Sequence, residues 1–220
     1  MWEYATMAII AYFIGSINFS VILSRKMAGF DVRDKGSKNA GTTNMLRTVG
    51  KKAALITLIC DILKGVISVF IAFILGLIIG ETNKALLVQI AGIFVIIGHT
   101  FPIFFEFRGG KGVATALGVL ITTNYQIGLI CLVFALVIMA ITRMVSIGSV
   151  LAAILFPILT IFIHNNYLVQ GTEGMDFGYI IYGIIIGLFV CFNHRENIKR
   201  ILNGTENKLS FKKKSEDKVK

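Results

Sequence analysis

Charge is scarce in this sequence. Of its 220 residues only 15% are Asp, Glu, Lys or Arg, against 55% apolar ones, and the mean hydropathy is +0.79. A soluble domain of this length needs a polar surface that so little polar sequence cannot make. Acidic residues are the scarcer sign, 12 against 22 Lys and Arg, for a net charge of +10. That excess would fit nucleic acid, but its placement does not. Most of the basic residues fall between Arg25 and Lys52 or after His194, at the ends of apolar runs. Basic residues placed there orient a membrane protein.

Cysteine is sparse as well. Cys60, Cys131 and Cys191 all lie in or beside apolar runs and read as small packing residues. There is no CxxC pair and no His/Cys cluster, so neither a disulfide framework nor a metal site is expected. The chain also lacks a basic leader ahead of its first apolar run. Trp2 and Glu3 come first, and Arg25 and Lys26 follow it. That run is expected to be retained as a helix that starts outside the cytoplasm.

What is present is a series of apolar runs. A spanning helix needs about 20 mostly apolar residues in a row. The composition and runs predict an all-α integral membrane protein with spans near 4–23, 56–79, 85–104, 112–124, 126–142, 145–163 and 178–193. The fourth and fifth are short and separated only by Thr122 to Gln126. They read as two crossings, as one long tilted helix, or as a re-entrant hairpin. Charge bias narrows the choice. Segment 24–52 holds eight Lys/Arg and belongs inside, segment 164–177 holds none and belongs outside, and the Lys-rich tail belongs inside. The count is therefore odd: seven spans, or five plus a hairpin, with seven favoured. The membrane domain is expected over 1–207. The basic stretch 208–220 is expected to be a disordered tail drawn to anionic lipid, at about 1 kcal/mol per basic residue.

This topology brings three polar segments to one face. The first, 31–52, sets Gly36, Gly41 and Gly50 among Ser37, Asn39, Thr42, Thr43 and Asn44, beside Arg47. Backbone N–H groups, hydroxyls and a guanidinium suit an anion with several oxygens; the same residues also make an ordinary solvated loop. The second, 99–112, ends in Gly109, Gly110, Lys111 and Gly112 just before a helix. Helix N-termini favour phosphate, although GGKG lacks the Walker A spacing. Its plain alternative is a loop anchored at lipid headgroups, with His99 as a packing residue. In the third, 193–200, His194 and Asn197 stand three apart on one helix face, with Glu196 beside them. Asp61 and Lys64 also stand three apart, inside an apolar span. Each would cost about 2.5–3.5 kcal/mol if left at the bilayer centre, so they are expected to face the bundle interior, as an ion pair or in the wall of a polar cavity.

Taken together, the segments GSKNAGTTNMLR (36–47), GHTFPIFFEFRGGKGVAT (98–115) and HRENIKRI (194–201), with DILKG (61–65), resemble the bacterial acyl-phosphate:glycerol-3-phosphate acyltransferase family in order and spacing along nearly the whole chain. The resemblance implies a seven-helix enzyme of the bacterial cell membrane with a cytoplasmic site. Its substrates would be acyl phosphate and glycerol 3-phosphate, its surroundings membrane lipid, with no cofactor and no nucleic acid. It further implies that Ser37, Arg47, Lys111, His194 and Asn197 serve catalysis. Gly36, Asn39, Thr43, Asn44, Gly109, Gly110 and Gly112 would bind phosphate or substrate, and Glu196, Asp61 and Lys64 would be structural. Lys38 and Thr42 depart from the pattern, in which Gly and Ala are common at those positions. Residue chemistry is compatible. No Asp stands five residues after His99, His164 or His194, where Phe104, Val169 and Lys199 occur. There is also no Ser-His-Asp set or activated Cys. The expected reaction is direct attack by the substrate hydroxyl, with its proton taken by a phosphate oxygen or by His194.

Overall fold

The computed structural model describes residues 2–80, 83–163 and 177–209, and among them there are helices, turns and loops but no strand. The helices are α1 (Trp2–Ser16), α2 (Phe19–Ala28), α3 (Thr42–Thr48), α4 (Lys51–Ile78), α5 (Lys84–Thr100), α6 (Val113–Thr123), α7 (Tyr125–Thr142), α8 (Val145–Phe162), α9 (Phe177–Asn193) and α10 (Arg195–Leu202). His164 and the residues through 176, like those from 210 on, lie outside the described residues.

α4 shows how these helices are turned. Leu55, Ile59, Leu63, Ile67, Phe70 and Ile74 are exposed, whereas Thr57, Asp61, Lys64 and Ser68 are buried. Both sets recur at three- and four-residue steps, so one face of the helix is apolar and outward and the other polar and inward. In lipid this is the stable arrangement, because polar groups must find partners within the bundle. Small residues let the helices approach. A methyl on Gly15 or Gly98 would overlap the backbone across the α1–α5 contact, and one on Gly65 or Gly118 would do so between α4 and α6.

The expected first span, 4–23, is broken. α1 stops at Ser16, and Asn18 caps α2 by accepting from the Val21 N–H at 3.2 Å. The break frees carbonyls inside the membrane region. Lys64 answers them: its ammonium donates to the Gly15 carbonyl at 3.0 Å and the Ile17 carbonyl at 3.1 Å. It also lies 3.0 Å from Asp61 Oδ1, and His99 Nδ1 lies 3.4 Å from the same oxygen. The expected inward-facing Asp61–Lys64 pair is thus present, with His99 joined to it.

Helix length does not establish seven crossings. Among the described residues five helices are long and apolar enough, with α1 and α2 taken together as one; α9 and α10, bent by 61°, add a sixth if they form one span. α6 has 11 residues, a rise of about 16 Å against a hydrocarbon core of about 30 Å. Asn124 ends it and caps α7, taking the Ile127 N–H at 3.1 Å. The path of α6 is nevertheless clear. It leaves Gly112, and its Thr123 hydroxyl lies 3.4 Å from that of Tyr179 near the start of α9. α7 then brings the chain back to Arg143, whose carbonyl accepts the Leu209 N–H at 2.7 Å. The chain therefore reverses between α6 and α7, and the start of α8 lies at the same end of the bundle as the end of α9.

Candidate active site

Three loops meet at that end, and each is built before it can bind anything. In the first, Asp31 pairs with Arg25 and Arg33, both at 2.8 Å. Partial burial works against the Asp31 carboxylate, but the Arg33 and Arg25 guanidiniums outweigh it and hold its pKa at about 2. Arg33 is buried and donates to the Phe105 carbonyl at 2.6 Å, tying the first loop to the second. Asn44 organises the turn between them. Its amide donates to the carbonyls of Val32, Lys35 and Asn39 at 2.9 to 3.0 Å, and its oxygen accepts the Ser37 N–H at 2.9 Å. Gly36 and Lys38 both sit at φ 58° in the left-handed region. Lys38 adopts this conformation without being glycine, at a cost of about 1–2 kcal/mol.

The second loop folds back on the end of α5. Gly109 N–H donates to Thr100 carbonyl and Gly110 N–H to His99 carbonyl, both at 3.1 Å, while Gly109 carbonyl accepts from Ala40 N–H at 3.4 Å. A methyl on Gly110 would overlap the His99 imidazole and the Ala40 carbonyl; one on Gly109 would overlap the His99 and Thr100 carbonyls. The N–H groups of both glycines are engaged by protein carbonyls, and a side chain on either would clash within the loop. The Asn44 amide is likewise engaged by carbonyls of the loop that it holds together. Gly112, at φ 84°, opens α6 and packs on Ile96.

The third segment supplies the partner of Lys111. α9, the last span, ends at Asn193, and His194 forms the bend into α10. The Lys111 ammonium donates to the Asn197 side-chain oxygen. The Asn197 amide donates to Glu206 at 2.7 Å, and Glu206 also accepts from Ser146 and from Arg200 at 2.8 Å each. Burial lowers the Lys111 pKa to about 8, with Arg200 and Arg47 lowering it and Glu206 opposing. Arg47, on α3, is lowered by burial and lies within the fields of Glu206 and Arg200. Burial, then the Lys111 charge, bring His194 down to about 4, although the Val190 carbonyl and Glu206 oppose this. His194 Nδ1 lies 2.8 Å from that carbonyl. A carbonyl only accepts, so Nδ1 carries the proton and Nε2 is the lone-pair nitrogen.

Of the expected residues, Lys111, Arg47, His194 and Asn197 therefore come together. Ser37 is exposed on the first loop, with its N–H held by Asn44; Asn39 and Thr43 are half-buried beside it. Glu196 is exposed and pairs with Lys199 at 3.3 Å on the surface, a contact worth about 0–1 kcal/mol. The buried carboxylate of the site is Glu206 instead. Sequence reasoning passed over it, and over Arg33, Arg200 and Ser146. The one available signal was a single acid between the third segment and the basic tail.

Fold and site together define a polytopic helical membrane enzyme with a buried cationic centre at one end. Comparison with known proteins gives the particular family. Residues 5–204 match the family described as glycerol-3-phosphate acyltransferase. The glycerol-3-phosphate acyltransferase of Clostridioides difficile (strain 630) is 41% identical over 217 residues, covering 97% of this chain and 98% of its own. That of Thermoanaerobacter pseudethanolicus is 42% identical over 205 residues, covering 93% and 95%. The crystal structure of PlsY, an integral membrane glycerol 3-phosphate acyltransferase, in its glycerol 3-phosphate form is similar with a TM-score of 0.80 and 34% identity, over 94% of this chain and 96% of that one. Its lysophosphatidic acid form gives 0.78 and 32%, over 94% and 95%. The chain belongs to the glycerol-3-phosphate acyltransferase family.

Proposed function

We propose that this chain transfers a fatty acyl group from acyl phosphate to the 1-hydroxyl of glycerol 3-phosphate, the first acylation of phospholipid synthesis. The observation that carries this reading is the gathering of Lys111, Arg47 and Arg200 around one carboxylate, Glu206, beside the first turn of α6. Three cations against one anion leave a positive excess, and the free N–H groups of a helix start add to it. Two phosphate-bearing substrates need this excess to offset their mutual repulsion.

The reaction balances without an acyl-enzyme. The 1-hydroxyl oxygen attacks the acyl carbonyl carbon, the new C–O bond forms, and the bond to phosphate breaks with phosphate leaving. An acyl phosphate is a mixed anhydride with a good leaving group, so the protein's task is mainly placement. Lys111 and Arg47 hold phosphate oxygens. Ser37, Asn39 and Thr43 offer side chains from the first loop, whose shape Gly36 and Asn44 set, while Gly109, Gly110 and Gly112 set the path that delivers Lys111. With a pKa of about 4, His194 is a poor base at neutral pH, whereas a phosphate monoester has a second pKa of about 6. The hydroxyl proton therefore passes to a phosphate oxygen of the bound substrates, and His194 Nε2 orients the hydroxyl. Purified protein in liposomes tests this reading: labelled lysophosphatidate formed from labelled glycerol 3-phosphate supports it, and uptake of the ester without acylation overturns it.

The Lys/Arg bias of the segments supports a multi-pass protein of the bacterial plasma membrane with the site facing the cytoplasm. Single cysteines at positions 37 and 166, in a chain whose Cys60, Cys131 and Cys191 are replaced, report the two sides. An impermeant thiol reagent on intact cells is expected to label position 166 and to reach position 37 only after lysis. The reverse pattern would place the site outside.

A further inference from the structure

We propose that Glu206 is the positioning residue for Lys111: by accepting the Asn197 amide it turns the Asn197 oxygen onto the Lys111 ammonium. The inference rests on the acyltransferase reading and adds a residue just past the stretch, 5–204, that matches the family. It starts from the geometry of Asn197. One end of that side chain meets a carboxylate, which only accepts, and the other meets an ammonium, which only donates. Neither contact survives a flip of the amide. The carboxylate thus fixes the orientation of Asn197, and Asn197 fixes the reach of Lys111.

Glu206 is itself held. It is 8% exposed, in a segment of loop between α10 and the last described residue. Ser146 on α8 donates to the same oxygen as Asn197, and Arg200 donates to the other oxygen. The segment is fastened on both sides, with Thr205 N–H on the Arg200 carbonyl at 2.8 Å and Leu209 N–H on the Arg143 carbonyl at 2.7 Å. The carboxylate is thus delivered to the site as a fixed strut. Glu206 does not touch the reacting atoms in this arrangement; it acts through Asn197.

It also sets the charge around Lys111. The charged or titratable groups facing the ammonium are Arg47 from α3, His194 from the α9–α10 bend, Arg200 from α10, and Glu206. Glu206 is the one anion among them. Arg47 and Arg200 favour loss of the Lys111 proton, and Glu206 resists it. Removing the carboxylate therefore frees Asn197 to turn and lets Lys111 lose its proton at lower pH.

The experiment measures kcat/KM for glycerol 3-phosphate against pH in full-length protein, with acyl phosphate as donor. That ratio reports the free enzyme. The wild-type alkaline limb is expected near the Lys111 value of about 8. Glu206→Gln keeps the size and removes the charge; it is expected to move this limb to lower pH and to cut kcat/KM by up to about 10²-fold, the scale of a misplaced group. Glu206→Asp keeps the charge but shortens the reach, so its limb should stay while its kcat/KM falls. A Glu206→Gln protein that loses thermal stability but keeps the wild-type limb would have lost only a structural contact, and the proposal would fail. If Glu206→Gln cannot be purified, Glu206→Asp decides alone: unchanged kcat/KM overturns the proposal, and a loss at unchanged Tm supports it. A wild-type protein inactive with acyl phosphate would instead defeat the underlying reading before any variant is compared.

Discussion

Replacing Lys111 with methionine is expected to lower kcat/KM for glycerol 3-phosphate by about 10²–10³-fold, the range seen when one preorganised stabilising donor is lost. Methionine keeps most of the length and the apolar stem, so the loop over Gly109 and Gly110 can still close on His99. What disappears is the charge and the donor to Asn197. The remaining cations, Arg47 and Arg200, sit on other elements, α3 and α10, and Arg200 is already engaged by Glu206. Lys111→Arg should restore little, because a planar fork does not replace a compact ammonium in a half-buried position. Steady-state kinetics at pH 7 check this. A Lys111→Met protein within about threefold of wild type in kcat/KM would mean that the ammonium does not stabilise the transition state.

The largest stability loss is expected from Lys64→Met. Lys64 and Asp61 are 3% and 2% exposed, and removing one partner of a buried pair costs about 3–5 kcal/mol. Here two further contacts go with it, because the Gly15 and Ile17 carbonyls at the α1 break lose their donor. Unpartnered carbonyls within a membrane region add to the cost. The damage should reach the site through His99, which faces Asp61 with Nδ1 and packs its ring under Gly110. Thermal unfolding in detergent is expected to show a large drop in Tm for Lys64→Met. Adding Asp61→Asn should recover part of it by removing the stranded carboxylate. If the double variant is less stable than the single one, the charge left behind is not the source of the loss.

Much of this was legible in the sequence, for reasons particular residues make plain. Apolar runs located the helices to within a few residues, because lipid demands long uninterrupted apolar stretches and leaves little choice. The charge bias placed the polar segments on one face, and Lys111, Arg47, His194 and Asn197 of those segments do meet at one end. The break at Ile17 and Asn18 was hidden, because its stability comes from Lys64, far along the chain. The shortness of α6 was visible in the polar interruption from Thr122 to Gln126; what was hidden is that Asn124 both ends α6 and caps α7. Within the site, residue type announced hydrogen bonding but not its direction. Asn44, Gly109 and Gly110 read as ligand contacts, and their part in holding the loops together was not visible. Lys111 and Arg47, of the same segments, carry the charge of the centre. Glu206 had no motif at all; only the fold brings it to Asn197.

The most direct measurement compares two donors of matched chain length on the purified protein with labelled glycerol 3-phosphate. Nothing in the chain offers the His-x-x-x-x-Asp pair that a thioester reaction would draw on, and the centre is cationic, fit for a phosphate leaving group. With acyl phosphate, lysophosphatidate and inorganic phosphate should appear in equal amounts. With acyl-CoA alone, neither should appear. Sustained formation of lysophosphatidate from acyl-CoA, in the absence of acyl phosphate, would contradict the assignment.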